Sequence, residues 1–384
     1  MRGICQLWIP LLVLGVGGMG VASSHALGAA LESRLESIRS QHGLPSLGCV
    51  VIRSNTVTES AAVGLRAVDS EAHVTREDVW HLGSITKSMT ATLAAILVDE
   101  GHLHWTDTLA SAFPAESAFM DPAWRIVTLE QLLGHRGGAP DQASLESTGL
   151  GRLIRRGRGT LQEQRHELLR EFTGRPPAYP PGTRHAYSNT GYILAGAWME
   201  ERMNQSWEQL ITERLFRPLD MKSAGFGAPD PAAAHTQPWG HVRASGRWKA
   251  VEPGALADNP PSLGPAGTVH ASMADVASYV RAHLNGELGR PTPLPIKPET
   301  WRRLHTALPG QDYALGWIIT QRAWAGGTAW NHTGSNTYWY CNIWVAPLRD
   351  FAVLAFTNAG GDAAFKATDS VAAAIIGDVL TPRP

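Results

Sequence analysis

Three short segments hold the residues whose chemistry suggests a reaction: Ser84-Ile85-Thr86-Lys87, Tyr187-Ser188-Asn189 and His332-Thr333-Gly334-Ser335. Together they supply a nucleophile, groups that can move its proton, a polar side chain that can position a carbonyl, and a strand edge beside which an acyl group can lie. An enzyme that transfers acyl groups through a serine needs all of these. The combination therefore predicts a serine enzyme acting on an ester or an amide.

The first segment pairs a nucleophile with a base. Ser84 and Lys87 are three residues apart at the predicted start of a helix, so their side chains share one face. Free N–H groups at a helix N-terminus favour a developing oxyanion beside Ser84. A desolvated, neutral lysine can take the serine proton if its pKa falls below the ordinary value of about 10.4. By spacing alone Ser84 also fits a helix cap and Lys87 a surface residue, but Lys87 opens an otherwise apolar helix.

The other two segments each admit a structural and a functional interpretation. Tyr187 fits a core aromatic residue or a second proton-transfer group, and Asn189 fits a helix cap or a hydrogen-bond donor to substrate. His332 fits a strand histidine with satisfied hydrogen bonds or part of a binding edge. Gly334 permits the close backbone approach that a substrate lying along a strand requires.

The elements that must position these segments come from the whole chain. A buried helix is predicted from Ser84 to Gly101, helices and loops from there to about residue 265, and a last helix over 371–380. Strands are predicted over 48–53, 61–67, 315–320, 328–332, 338–346 and 351–358. The pattern predicts an α/β (α+β) fold. Its sheet region, about 27–83 and 266–384, comes from both chain ends, and the helical region, about 84–265, is inserted between them.

Composition narrows the class of protein. With 384 residues, 43% hydrophobic and 17% charged, the chain is typical of a globular protein with a large core. Its 33 basic and 34 acidic side chains give a formal charge of -1, which supplies no field for a polyanion. Nucleic acid is therefore not an expected partner.

The N-terminus has the order of a secretory signal peptide. Arg2 precedes an apolar run over residues 7–22, and small residues follow at Ser24-His25-Ala26. We expect residues 1–26 to be removed, after Ala26 or Ala22, giving a periplasmic or secreted protein without a stable membrane span; a retained anchor is the alternative. Of the three cysteines, Cys49 and Cys341 would remain, either as buried thiols or as a bridge.

The combined motifs resemble those of the serine β-lactamase and penicillin-binding-protein superfamily, namely Ser-x-x-Lys, Tyr-x-Asn and a Lys-Thr-Gly counterpart. The Tyr-x-Asn form is most similar to the class C β-lactamase branch, which includes D-aminopeptidases and β-lactamase-like carboxylesterases. Connecting segments agree, including Pro181-Gly182-Thr183, Pro218-Leu219-Asp220-Met221 and Leu315-Gly316-Trp317. The resemblance implies a β-lactamase/transpeptidase-like antiparallel sheet flanked by helices, with β-strands of Cys49 and Cys341 separated by another strand.

The resemblance also implies roles for the site residues. Ser84 would be the acylated nucleophile, and Lys87 and Tyr187 would activate it and protonate the leaving group. Asn189 would hold the substrate carbonyl or orient Lys87. The backbone N–H groups of Ser84 and Ser335 would form the oxyanion hole, with Gly334 and His332 on the same strand. No cofactor and no metal is implied, and the substrate would be a small ester, amide or peptide, including one derived from the cell wall.

Two departures from the family pattern shape the expected activity. His332 stands where lysine usually binds a substrate carboxylate, and a mostly neutral histidine weakens that attraction. We therefore rank esterase or D-amino-acid peptidase above β-lactamase. The segment Gly134-His135-Arg136-Gly137-Gly138 is the second departure, where relatives often have Thr-His-Thr-Ser-Gly.

Two alternative functions belong to other classes. One is a non-catalytic, cell-wall-binding relative of penicillin-binding proteins. The other is a metal hydrolase, suggested by His102, His104 and Asp107, although this segment follows a helix stop where a surface turn is the default.

Overall fold

Both chain ends build the central sheet. The computed structural model describes residues 19–141, 151–154, 157–230, 232–254 and 256–380. Its strands are, in chain order, β1 (Ser46–Arg53), β2 (Thr56–Gly64), β3 (Val79–His81), β4 (Gly225–Phe226), β5 (Gly240–Ala244), β6 (Arg247–Val251), β7 (Val269–Ser272), β8 (Ile318–Arg322), β9 (Gly327–Ser335), β10 (Tyr340–Ala346) and β11 (Phe351–Thr357). Six form an antiparallel sheet in the order β2-β1-β11-β10-β9-β8. The predicted β-lactamase/transpeptidase-like α/β fold is confirmed.

Helices cover both faces of this sheet. They are α1 (Met19–His42), α2 (Thr86–Asp99), α3 (Leu109–Ala112), α4 (Pro122–Arg125), α5 (Leu129–Leu133), α6 (Gly151–Ile154), α7 (Leu161–Thr173), α8 (Asn189–Met203), α9 (Trp207–Ile211), α10 (Gly264–Gly267), α11 (Met273–Glu287), α12 (Pro298–Leu304) and α13 (Asp362–Leu380). The terminal helices α1 and α13 pack on one face, and α2 belongs to the layer on the other. The sheet is therefore buried between two apolar layers.

The strands read as continuous apolar runs because both of their faces are buried. In β1, Val50 and Ile52 point into the layer that contains α2. Their neighbours Cys49 and Val51 point into the layer formed with the terminal helices. Alternate residues of one strand thus stabilise two separate cores.

Three predicted boundaries differ from the structure for local reasons. The hairpin strand β2 begins at Thr56 rather than residue 61, because Ser54 and Asn55 adopt positive φ values of 48° and 59° and close a tight turn. The last helix begins at Asp362 rather than residue 371, and its first half packs through small alanines that give a weak apolar signal. The helix predicted from Ser84 is a 3₁₀ turn, Gly83–Ile85, followed by α2.

The description of residues 102–265 as helices and loops was wrong in part. This region also contains β4 and the hairpin β5–β6. Ser245 and Gly246, with φ values of 49° and 79°, form the tight turn of that hairpin. The hairpin was missed because its two strands are short and largely exposed, so they lack an apolar alternation.

The structure answers the prediction about the two cysteines, whereas most of the predicted leader lies outside the described residues. Cys49 and Cys341 are free, buried thiols; β11 lies between their strands, as the resemblance implied. Of the predicted leader, residues 1–18 lie outside the described residues, and 19–26 belong to α1. Within the described ranges, no helix has the length and apolar character needed to cross a membrane.

Candidate active site

The Thr86 side chain, which belongs to the same motif as Ser84, holds the turn that carries Ser84. The Thr86 hydroxyl donates to Gly83 O at 2.7 Å and accepts from Val269 N at 3.1 Å. The Leu82 N–H donates to Val269 O at 2.9 Å, which ties the turn to β7 a second time. The threonine of Ser-x-x-Lys therefore fixes the turn that presents Ser84, and α2 begins directly after it.

Lys87 lies where it can exchange a proton with Ser84. Its Nζ is 3.0 Å from Ser84 Oγ and donates to Ala266 O at 2.7 Å. The side chain is fully buried, and no carboxylate in the described part of the chain forms an ion pair with it. Burial lowers the pKa of Lys87 well below its ordinary value, because the charged form loses hydration without gaining a counter-ion. A neutral amine has one lone pair, which is then free to accept the Ser84 proton.

Tyr187 completes this group from the opposite side. Its side chain interacts with that of Ser84, and the Lys87 Nζ lies 4.8 Å from its ring centroid. Although 39% of Tyr187 is exposed, desolvation raises its pKa above the ordinary value, and the interaction with Ser84 only partly offsets this. The neutral phenol is therefore favoured at neutral pH, so Tyr187 is suited to donate a proton.

His135 hydrogen-bonds the segment that carries Tyr187. It was not among the site residues predicted from the sequence. Its Nδ1 accepts from Ser188 N at 3.1 Å, and its carbonyl accepts from Ala186 N at 2.9 Å. Its ring packs on Tyr187 with centroids 4.4 Å apart. His135 belongs to the segment noted as a departure from the family, but nothing local in the sequence indicates a contact 52 residues away. A backbone φ of 57° at His135 turns both of its polar groups toward this segment.

Two glycines let β9 approach the Ser84 turn. A Cβ on Gly334 would lie 1.9 Å from Leu82 O and 2.9 Å from Ser84 N. A Cβ on Gly83 would lie 2.3 Å from Ser335 N. The backbones of the turn and of β9 are thus in direct contact, which brings the N–H groups of Ser84 and Ser335 to one place. Gly334 was predicted to permit close approach of a substrate along the strand, whereas the backbone it admits here is that of the Ser84 turn. Gly83 was not predicted.

Near its C-terminal end, β9 pairs with a neighbouring strand on one side only, among the described residues. β8 pairs with β9 from Gly327 to Asn331, whereas β10 continues along it as far as Ser335. On the side away from β10, residues 332–335 pair with no strand among the described residues. An extended substrate can therefore hydrogen-bond this edge.

Of the two roles considered for Asn189, the helix cap belongs to its neighbour Ser188. The helix cap of α8 is Ser188, whose hydroxyl accepts from Gly191 N at 3.3 Å and donates to Pro140 O at 2.6 Å. Asn189 is the first residue of the helix and is half-buried. The Lys87 amine is oriented by Ala266 O instead, so contact with a substrate carbonyl is the remaining role predicted for Asn189.

His332 is a buried, neutral histidine with both ring nitrogens engaged. Nδ1 lies 2.6 Å from Thr333 O, so it carries the hydrogen, and Nε2, 3.1 Å from the Tyr313 hydroxyl, accepts from it. Burial lowers the pKa of His332 to about 3, and the nearby Lys87 contributes in the same direction. A protonated histidine able to attract a carboxylate is therefore disfavoured at neutral pH.

These residues line one cleft. A cavity of about 410 Å³ is lined by Ser84, Tyr187, His332 and Ser335, together with Asp312 and His185, among others. The fold thus brings the predicted nucleophile, the tyrosine and the β9 edge to one solvent-accessible site, with Lys87 buried directly beneath.

The histidines that suggested a metal site are elsewhere and do not form one. His104 is largely exposed and lies 3.4 Å from Asp107, while His102 contacts Glu100 at 3.8 Å. Across the described ranges, no group of three or more His, Cys, Asp or Glu side chains is placed to hold a metal ion.

Comparison with known proteins agrees with this geometry. The profile of the Beta-lactamase family matches residues 29–378. The chain belongs to the beta-lactamase family. Among its members, "Penicillin-binding protein 4" of Amycolatopsis lactamdurans is 26% identical over 344 residues, covering 86% of this chain and 84% of that protein. A "Beta-lactamase" of Escherichia coli is 26% identical over 226 residues, covering 58% of this chain and about half, 52%, of that protein.

Solved structures show the same fold. The octameric penicillin-binding protein homologue from Pyrococcus abyssi has a TM-score of 0.71 at 23% identity, covering 90% of this chain and 77% of that one. The members of this beta-lactamase family are serine hydrolases that act on amide or ester bonds.

Proposed function

We propose that this protein is an exported serine hydrolase that forms a covalent acyl-enzyme on Ser84 and cleaves an ester or amide bond. One observation carries the proposal: Ser84 Oγ lies 3.0 Å from the Nζ of a fully buried lysine that has no acidic partner among the described residues. Such a lysine is a base rather than a structural cation, because burial favours its neutral form.

The acylation step follows from the hydrogen bonds. The Ser84 O–H donates its proton to the lone pair of neutral Lys87 while Oγ attacks the substrate carbonyl carbon. The negative charge that develops on the carbonyl oxygen is stabilised by the backbone N–H groups of Ser84 and Ser335. As the bond to the alcohol or amine breaks, Tyr187 donates a proton to the leaving group and recovers one from Lys87. The products are an ester on Ser84 and a neutral leaving group.

Deacylation uses the same groups in reverse. Water takes the place of the leaving group, gives a proton to the base and attacks the acyl carbon. Ser84 Oγ then recovers a proton as the acid product leaves. The division of labour between Lys87 as base and Tyr187 as acid is supported by the opposite directions of their pKa shifts, since both shifts favour the neutral side chain.

The neutral His332 supports a ranking among substrates. A β-lactam or a peptide C-terminus presents a carboxylate, and this site offers it a buried, uncharged ring whose nitrogens are both engaged. We therefore rank esterase or D-amino-acid peptidase above β-lactamase, with small cell-wall-derived peptides among the candidate substrates. Removal of residues 1–26 during export is part of the proposal.

A neutral activated ester tests the proposal. The mature wild type should hydrolyse 4-nitrophenyl butyrate and, when quenched early, carry one butyryl group on the peptide that contains Ser84. Ser84→Ala should keep its melting temperature and show neither turnover nor adduct. Equal turnover in that variant would refute the proposal, and saturable muropeptide binding by a wild type that is never acylated would favour the non-catalytic alternative.

A further inference from the structure

The charge of the cleft differs from what carboxylate recognition requires. Asp312 is the only aspartate, glutamate, lysine or arginine among the described residues that line the cavity. The two histidines there, His185 and His332, favour their neutral forms because desolvation lowers the pKa of each. The cleft around Ser84 is therefore weakly negative.

Two neighbouring arginines are engaged by other groups. Arg136 donates to the backbone carbonyls of Pro309 and Gly182, which holds two loops together, and its charge adds to desolvation in lowering the pKa of His185. Arg184 lies over the ring of Tyr179 at 4.5 Å. Neither arginine lines the cavity.

Asp312 sits on a backbone that is fixed relative to the catalytic strand. Its carbonyl accepts from Ile319 N at 2.6 Å, which closes the loop before β8. The next residue, Tyr313, is buried, and its hydroxyl donates to His332 Nε2 at 3.1 Å. The Asp312 side chain is exposed in the cleft, and within the described residues it forms no ion pair or hydrogen bond. An unpaired carboxylate that lines the same cleft as the nucleophile is suited to bind a cation on the substrate.

We propose that Asp312 is a specificity-determining residue that binds a positively charged amine on the substrate, so that the enzyme prefers amine-bearing esters or amides and disfavours those with a carboxylate. This inference rests on the proposed acyl-enzyme function and deepens it. It assigns to the loop before β8 a recognition role that the sequence motifs did not include. The cleft then presents a negative charge from this loop, where Lys-Thr-Gly members present a positive charge from the strand that corresponds to β9.

Two matched substrate series test the proposal. In the first, the acyl group of a 4-nitrophenyl ester is 3-aminopropionyl, butyryl or succinyl, which gives a cationic, neutral or anionic acyl chain of similar length. In the second, butyrate is esterified to 3-aminopropanol or to the uncharged butan-1-ol, so that the charged amine lies on the leaving group. The neutral butyryl esters report on the chemistry alone, so their hydrolysis separates failure of this inference from failure of the proposed function.

The expected result is a preference of about tenfold or more in kcat/KM for the cationic substrate over the neutral one in at least one series, as for a charge-assisted hydrogen bond that is partly exposed. Asp312→Asn should bring the ratio of kcat/KM for the cationic ester to that for its matched neutral ester to about one. Glu32→Gln is the matched control, since Glu32 is an exposed acid on α1, on the other side of the sheet. Equal kcat/KM for cationic and neutral substrates in both series would overturn the inference, as would a preference that survives Asp312→Asn.

Discussion

Replacing Gly334 with alanine tests whether close contact between β9 and the Ser84 turn creates the reactive geometry. The added Cβ would lie 1.9 Å from Leu82 O, and real Cβ atoms essentially never come within 3.0 Å of a heavy atom. The strand and the turn must therefore separate by about 1.1 Å. Because the obstructing atom belongs to the backbone, no side-chain rotation can relieve the contact.

The displacement predicts a large kinetic effect and a moderate loss of stability. A misplacement of about 1 Å in a reactive geometry can reduce a rate by about a hundredfold. Loss of one oxyanion-hole donor reduces kcat by about 10²–10³. We expect Gly334→Ala to lower kcat/KM for 4-nitrophenyl butyrate about a hundredfold, which corresponds to about 2.7 kcal/mol in the barrier. Overpacking should also lower the free energy of unfolding by about 1–3 kcal/mol.

The assay combines steady-state hydrolysis with thermal unfolding and near-UV circular dichroism. Gly254→Ala is the matched control, because a Cβ at Gly254 meets no heavy atom within 4 Å. It should leave both kcat/KM and the melting temperature unchanged. A Gly334→Ala variant with wild-type stability and a kcat/KM within twofold of wild type would refute the idea that this contact shapes the site.

Three further predictions follow from burial in and near the site. Tyr187→Phe should lower kcat/KM for amides by about 10²–10⁴ with little change in melting temperature, since it removes a proton donor, and a near-normal rate would exclude Tyr187 from proton transfer. The His332 pKa of about 3 lies below the unfolded value of about 6.5, so the unfolded chain binds more protons between these two pH values. The free energy of unfolding should therefore fall as the pH drops through that window. A denaturation midpoint that does not change with pH there, or that changes just as steeply in His332→Gln, would contradict this. Cys49 and Cys341 should react with a thiol reagent only after unfolding, and rapid reaction of the native protein would show that the two layers are open.

Local chemistry made the contact between Ser84 and Lys87 predictable. Three-residue spacing at the start of an apolar helix placed Ser84 beside Lys87, and the structure has their side chains 3.0 Å apart. The strands that form both faces of the sheet were also predictable, because apolar runs such as Gly48 to Arg53 have no other stable location than between two layers.

Contacts between distant parts of the chain were not predictable from one sequence. The carbonyl of Ala266 holds Lys87 across 179 residues, and a backbone carbonyl leaves no mark in the residue type. His135 was visible only as an unusual segment, because its role depends on where the Tyr187 segment lies. Asp312 had no motif, and its position in the cleft depends on the loop closed by Ile319.

The most direct test of the central claim is the pH dependence of acylation, measured by stopped flow and confirmed by intact mass on the quenched protein. Butyrylation of Ser84 should rise with pH through one ionisation well below the ordinary lysine value of about 10.4, and Lys87→Met should abolish it while the protein stays folded. An acylation rate that follows an ionisation near the ordinary lysine value, or persists in Lys87→Met, would show that Lys87 is not the neutral base.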